Sequence, residues 1–199
     1  MRYVVDGTLG GGKTVFLTGT SPADEEGHEP YTSVRSLGYR VFSELIRGTV
    51  DARLRVTSDP FDDWDAFFSL AIDRAEQQFR DGEGEEVSFY DRGLPFLSVM
   101  ARRYGYAMPE RYGESLRRHR YDSPVLIFDP IESTDYTAPR RGEVRASTFT
   151  LAERLAQHRE TVEAYESLGY EILRVPVFEG SKETSIRMRY EYVRSQLGL

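Results

Sequence analysis

The chain has 199 residues, with 26 basic and 33 acidic side chains, a net charge of −7 and no cysteine. Disulfides and thiolate metal sites are thereby excluded, three scattered histidines (His28, His119, His158) give no metal cluster, and the negative balance disfavours indiscriminate binding to nucleic acid. No apolar run approaches the ~20 residues of a membrane span, and the N-terminus enters an apolar segment without a signal peptide, so one soluble, cytoplasmic domain is expected.

Arg2 to Asp6 reads as a short β-strand rich in β-branched and aromatic residues. It runs into Gly7-Thr8-Leu9-Gly10-Gly11-Gly12-Lys13-Thr14, which matches G-x-x-x-x-G-K-[ST], the pattern of a phosphate-binding loop. Gly7, Gly10, Gly11 and Gly12 let backbone N–H groups approach an anion, Lys13 supplies a point charge to the phosphates, and Thr14 offers a hydroxyl to Mg²⁺. The basic residues comprise 24 arginines and two lysines, Lys13 and Lys182, so one of two lysines stands where such a loop needs it. Val15-Phe16-Leu17 continues as the first turns of a buried helix, halted after about two turns by Gly19, Ser21 and Pro22. The acidic stretch 20–32 reads as a solvated surface insertion, or as a flap near the phosphates.

Ser36 to Phe42 gives a helix end, a glycine cap at Gly38 and a second strand. Glu44 and Arg47 follow its C-terminal end, where open α/β sheets place ligands, and are substrate-site candidates or an ordinary surface ion pair. Asp59 (N-cap) and Pro60 open a helix to Arg80, whose Trp64, Phe67, Phe68, Ala71, Ile72, Ala75 and Phe79 form one apolar face. Val87 to Asp91 is a buried strand ending in a carboxylate, and Arg92-Gly93 turns into a helix opened by Leu94-Pro95 and ended by Gly105. Beside the first strand, Asp91 would emerge next to Thr14. There it could organise Mg²⁺, accept a hydroxyl proton, or simply cap the next helix. Arg92 would face the substrate or transferred phosphate. The arginines of residues 102–120 form either a solvated helix surface or a patch for an anionic substrate or nucleic acid.

Ser123 to Asp129 is apolar without alternation, as a strand covered on both faces should be. The segment of about 131–147 carries Arg140, Arg141 and Arg145 with little apolar content, and between the expected strand and helix it reads as a lid able to spread guanidinium charge over a reacting phosphate, or as a plain loop. Thr150 and Glu153 form a capping box for a helix ending at Gly169, with His158 packed on its stripe. A last strand, Tyr170 to Pro176, and a closing helix, Ser181 to Gln196, complete the chain.

In this order, the phosphate loop, Gly-Tyr-x-Val-Phe-x-Glu, Asp91-Arg92-Gly93-Leu94-Pro95, Tyr-Asp-x-Pro-Val-Leu-Ile-Phe-Asp-Pro and the arginine-rich lid resemble the small P-loop ATPase/kinase family that includes nicotinamide riboside kinase domains and is related to thymidylate and deoxynucleoside kinases. The resemblance implies an α/β, three-layer P-loop NTPase fold over residues 1–199: a parallel five-stranded sheet, order 2-3-1-4-5, with helices on both faces. It also implies ATP on Gly7 to Thr14, Mg²⁺ near Thr14 and Asp91, lid arginines on the phosphates, and Glu44 and Arg92 facing the acceptor. Asp6, directly before the first glycine, departs from the usual pattern and is expected to bring a carboxylate near the phosphates.

The function expected from all this is an ATP- and Mg²⁺-dependent phosphotransferase. Its acceptor would be a small hydroxylated or phosphorylated metabolite, with a nucleoside or nucleotide favoured. The alternatives are a nucleotide-hydrolysing switch that signals to a partner, and a kinase for polynucleotide 5′ ends. The expected partners are a nucleoside triphosphate and a small-molecule acceptor, with nucleic acid less favoured, no membrane, and a homodimer left open.

Overall fold

The computed structural model describes residues 1–7, 12–19, 31–131, 136–137 and 148–199. In chain order the elements are β1 (Arg2–Gly7), α1 (Lys13–Thr18), a 3₁₀ turn (Arg35–Leu37), β2 (Arg40–Phe42), α2 (Leu45–Arg53), α3 (Trp64–Asp81), β3 (Ser88–Asp91), α4 (Pro95–Arg103), α5 (Glu110–Arg118), β4 (Val125–Phe128), β5 (Tyr136–Thr137), β6 (Thr148–Phe149), α6 (Leu151–Glu166), β7 (Ile172–Val175) and α7 (Lys182–Leu197). β1, β2, β3, β4 and β7 form one parallel sheet in the order β2-β3-β1-β4-β7, which is 2-3-1-4-5 counted within that sheet. The short strands β5 and β6 pair antiparallel outside it.

Side-chain alternation along the strands sorts the core into two layers. Tyr3 and Val5 of β1, Phe89 of β3, and Leu126 and Phe128 of β4 face Phe16 and Leu17 of α1 and Tyr190 and Val193 of α7. Val4, Tyr90, Val125 and Ile127 point the other way, onto Phe67, Phe68, Leu97 and Tyr165 from α3, α4 and α6. Every residue of β3 and β4 is buried, because a parallel sheet with helices on both faces leaves no wet side.

Most element ends follow the expected signals. Gly19 and Gly38 end α1 and the 3₁₀ turn in the left-handed conformation. Thr150 and Glu153 form the reciprocal capping box of α6, and the Ser181 hydroxyl accepts from Thr184 N at 3.2 Å to cap α7. The start of α3 is corrected. Asp63, not Asp59, caps it, accepting from Ala66 N at 2.9 Å, while Asp59 accepts from Phe61 N at 2.9 Å and shapes the turn ahead of the helix. The helix α2 was not anticipated, since Leu-Ile-Arg-Gly-Thr-Val-Asp-Ala-Arg shows little apolar periodicity and carries a central glycine.

Candidate active site

The carboxyl ends of β1, β3 and β4 meet at one edge of the sheet, the position at which open α/β sheets bind ligands. Gly7 ends β1 with φ 124° opposite Phe128 of β4. A Cβ there would stand 2.5 Å from the Phe128 carbonyl oxygen, so only glycine lets the chain leave the sheet at this point. The loop returns at Gly12, φ 82°, which caps α1, and Lys13 is that helix's first residue. Lys13 is 7% exposed, and its Nζ donates to the Gly7 carbonyl at 3.3 Å, folding back across the loop. Burial, reinforced by Arg92, lowers its pKa to about 8 against the pull of Asp91, Asp6 and Glu44. Thr14 follows it, half-buried. Gly10 and Gly11 lie outside the described residues.

Asp91 ends β3 in register with Val5 of β1. Its side chain is buried, and its Oδ1 has no hydrogen-bond partner among the described residues. Burial first, then the charge of Glu44, pushes its pKa up to about 7 in spite of Lys13 and Arg92. Burial, helped by neighbouring like charge, thus brings a lysine and a carboxyl to titration points close to neutrality, against the pull of the opposite charges around them.

Arg92 takes φ 67°, a left-handed conformation that costs a non-glycine residue about 1–3 kcal/mol and persists only where surroundings over-determine it. Here they do. Its Nε donates to Glu44 Oε1 at 2.8 Å, and its Nη1 donates to Asp6 Oδ1 at 3.0 Å and to Gly7 O at 3.3 Å. The guanidinium also lies 3.9 Å from the centre of the Phe96 ring. Burial disfavours the charge, but Asp6, Glu44 and Asp91 raise its pKa above the usual arginine value. Arg47 Nε meets the other oxygen of Glu44 at 3.4 Å. Burial pulls Glu44 upward, yet Arg92, Arg47 and Lys13 together hold it below the usual carboxylate range.

Asp6 is fully buried and anchors this set. It accepts from Gly7 N at 2.8 Å, from the Tyr165 hydroxyl at 2.8 Å and from Arg92, and burial raises its pKa despite Arg92 and Lys13. The Tyr165 hydroxyl in turn accepts from Gly93 N at 3.2 Å. Asp6 stays beside the phosphate loop, bonded to Gly7 and close enough to act on Lys13, and it also faces inward, tying β1, the β3–α4 turn and α6 together.

Of the expected site residues, Gly7, Gly12, Lys13, Asp91, Arg92, Glu44 and Arg47 form a continuous set, with Thr14 beside Lys13. Arg140, Arg141 and Arg145 lie outside the described residues, as do most of the lid and the acidic stretch 20–30. Glu44 and Arg47 do form an ion pair, but one whose carboxylate also holds a buried arginine. Two contributors went unrecognised in the sequence, Tyr165 and Arg189. Arg189 of α7 is 4% exposed, donates through Nη2 to the Asp129 carbonyl at 3.1 Å, and would stand 3.3 Å from a Cβ placed on Gly12. Burial lowers its pKa to about 10, opposed by Asp129. His158 packs as expected, buried with Nε2 3.2 Å from Asp129 Oδ1. In the basic segment, Arg103 pairs with Glu160 and Arg111 with Asp73, each at 2.7 Å, while Arg120 donates to Leu168 O at 3.0 Å, as a solvated helix surface would. Among the described residues no group of three or more acidic or histidine side chains could hold a metal, and no helix is long and apolar enough to cross a membrane.

Among solved structures, the chain is similar to deoxyadenosine kinase from M. mycoides with dCMP and a flexible dCDP bound, at TM-score 0.58 and 12% identity over 100% of this chain and 99% of that one. The same kinase with bound dATP aligns at TM-score 0.57 and 12% identity over 100% of both chains. At that identity the likeness concerns the fold, and the expected P-loop NTPase architecture related to deoxynucleoside kinases holds at that level. No curated protein matches the sequence. The sequence does match the family described as AAA domain over residues 2–184, nearly its whole length, and the chain belongs to that family.

Proposed function

We propose that the protein is a P-loop kinase that transfers the γ-phosphoryl group of ATP to a hydroxyl or phosphate oxygen of a small metabolite, a nucleoside or nucleotide being the favoured acceptor. The observation that carries this reading is the buried cluster of Lys13, Asp91 and Arg92 across the adjoining ends of β1 and β3, immediately after a phosphate-loop sequence. Hydrolysis of a nucleotide needs only a positioned water. A carboxyl poised near neutrality, next to an arginine locked by two carboxylates, suits an acceptor that must be oriented and deprotonated. The fold likeness to a kinase whose structures hold dATP or dCMP and dCDP supports the nucleoside preference.

In the proposed reaction an acceptor oxygen attacks the γ-phosphorus, a new P–O bond forms, the bond to the β–γ bridging oxygen breaks, and ADP leaves. For a hydroxyl acceptor, Asp91 takes the proton in its ionised form. Lys13 offsets charge on the phosphates, and Glu44, Arg47 and Arg92 orient the acceptor, with Arg140, Arg141 and Arg145 proposed to cover the transferred group. The Thr14 hydroxyl and Asp91 Oδ1, which has no partner among the described residues, are oxygen donors of the kind Mg²⁺ takes when phosphates and waters supply the rest of its shell, and so fit that ion. Bound there, Mg²⁺ would neutralise phosphate charge, and Asp91 would then act as its organiser as well as, or instead of, the base.

ADP release measured with single nucleosides and nucleotides tests the reading. Release that depends on one acceptor supports it. Release at the same rate without any acceptor would instead favour a hydrolytic switch.

A further inference from the structure

A groove of about 640 Å³ runs along β2, the outer strand of the sheet, and Lys13, Glu44, Asp91 and Arg92 do not line it. Arg35, Arg40 and Arg74 line it together with Phe42, Ser43 and Gln78. The other charged groups on its wall are engaged. Asp73 pairs with Arg111 at 2.7 Å, Asp81 accepts from Gln77 at 2.6 Å, and Arg80 contacts Gln77 at 2.8 Å and Glu76 at 4.0 Å. Arg35, Arg40 and Arg74 meet no carboxylate among the described residues.

Arg74 sits in a built seat. Its Nη2 donates to Ser43 Oγ at 3.0 Å, and its guanidinium lies against Gly48 in the middle of α2, where a Cβ would come within 2.4 Å of Cζ, Nε and Nη2. A mid-helix glycine destabilises the helix relative to alanine. Here that cost makes room for an arginine whose Nε is buried without an acceptor among the described residues, a further unfavourable contribution. Arg40, beside it on β2, is held over the Phe42 ring at 5.2 Å. A charge on an edge strand can serve merely to prevent strand addition, which would account for Arg40 alone. It does not account for Gly48 or for the seated Arg74.

We propose that this groove binds a small phosphate-bearing anion, with Arg40 presenting a planar donor fork to phosphoryl oxygens, the seated Arg74 guanidinium offering its remaining nitrogen beside the Ser43 contact, and Arg35 completing the positive lining. Its volume suits a ligand of nucleotide size. Ser43 directly precedes Glu44, so an occupant that holds Arg74 and Ser43 bears on the Glu44–Arg92 pair. That consequence rests on the kinase reading, whereas the binding does not.

The test is an NMR titration of the whole protein that follows the Arg74 Nε–H resonance, assigned by its loss in Arg74→Gln, with inorganic pyrophosphate and separately with a nucleoside monophosphate. The expected result is a saturable shift that weakens about tenfold or more in Arg40→Gln, which changes an exposed side chain, and in Gly48→Ala, which fills the seat. A response to both probes identifies the phosphoryl group of a nucleotide as sufficient, and a response to pyrophosphate alone identifies a free polyphosphate. No saturable shift, an unchanged shift in both variants, or tighter binding of a single-stranded oligonucleotide than of either probe would overturn the proposal.

Discussion

At the scale of single residues, Asp91 and Lys13 set the behaviour with pH. The free-enzyme profile of kcat/KM should be bell-shaped. It rises as Asp91 ionises through about pH 7 and falls as Lys13 loses its proton above about pH 8. A profile flat from pH 6 to 9 would remove Asp91 from the role of base. Stability carries a second, separable signature. Asp91 has a folded pKa raised above its unfolded value, so its favourable contribution is complete below about pH 4 and is lost as pH rises through about 7. Asp91→Asn should therefore match the parent in thermal stability near pH 4 and exceed it at pH 8, by up to about 4 kcal/mol, while losing phosphoryl transfer. A variant less stable at pH 8 would mean that the ionised carboxylate is compensated inside the fold. Arg92 behaves in the opposite sense. Arg92→Ala leaves Asp6 buried without its cation and should cost about 3–5 kcal/mol in urea unfolding, part of it recovered when Asp6→Asn is added. Equal loss in the single and double variants would show that the pair is not what holds the turn.

At the scale of elements, the junctions between strands and helices carry the site, and they explain what the sequence revealed and what it hid. The strand–loop–helix around Gly7 to Thr14 was legible because each residue type answers a local demand. Gly7→Ala should cost more than about 2 kcal/mol, since both φ 124° and the Phe128 carbonyl exclude a side chain; a smaller loss would show that β1 and β4 can separate there. The β3 strand and its terminal Asp91-Arg92 were likewise visible as a buried apolar run followed by charge. The inward turn of Asp6 was not, because its partners Tyr165 and Arg92 lie 159 and 86 residues away. Arg189 was hidden for the same reason: it is one of 24 arginines, and only tertiary packing sets it against Gly12 and Asp129. The start of α3 was misplaced because Asp59-Pro60 and Asp63 both carry cap signals, and local hydrogen bonding to Phe61 uses the first of them for a turn.

At the scale of the whole molecule, a five-stranded parallel sheet gathers the ends of β1, β3 and β4, so that residues from the two ends of the chain's first half and from α6 and α7 converge on one edge. Two layers of core fix that edge from opposite faces, and the charges placed on it are mostly buried and mutually compensating. Such preorganisation suits the stabilisation of charge that develops during phosphoryl transfer. The most direct measurement is ³¹P NMR of the protein with Mg-ATP and a mixed pool of nucleosides, nucleotides and sugar alcohols, run in parallel with Lys13→Ala. The expected result is a new phosphomonoester or phosphoanhydride resonance that grows with ADP and is absent in the variant, whose fold is retained. Inorganic phosphate as the only product, or the same new resonance in Lys13→Ala, would contradict the assignment of this edge as the site of a phosphate-transferring enzyme.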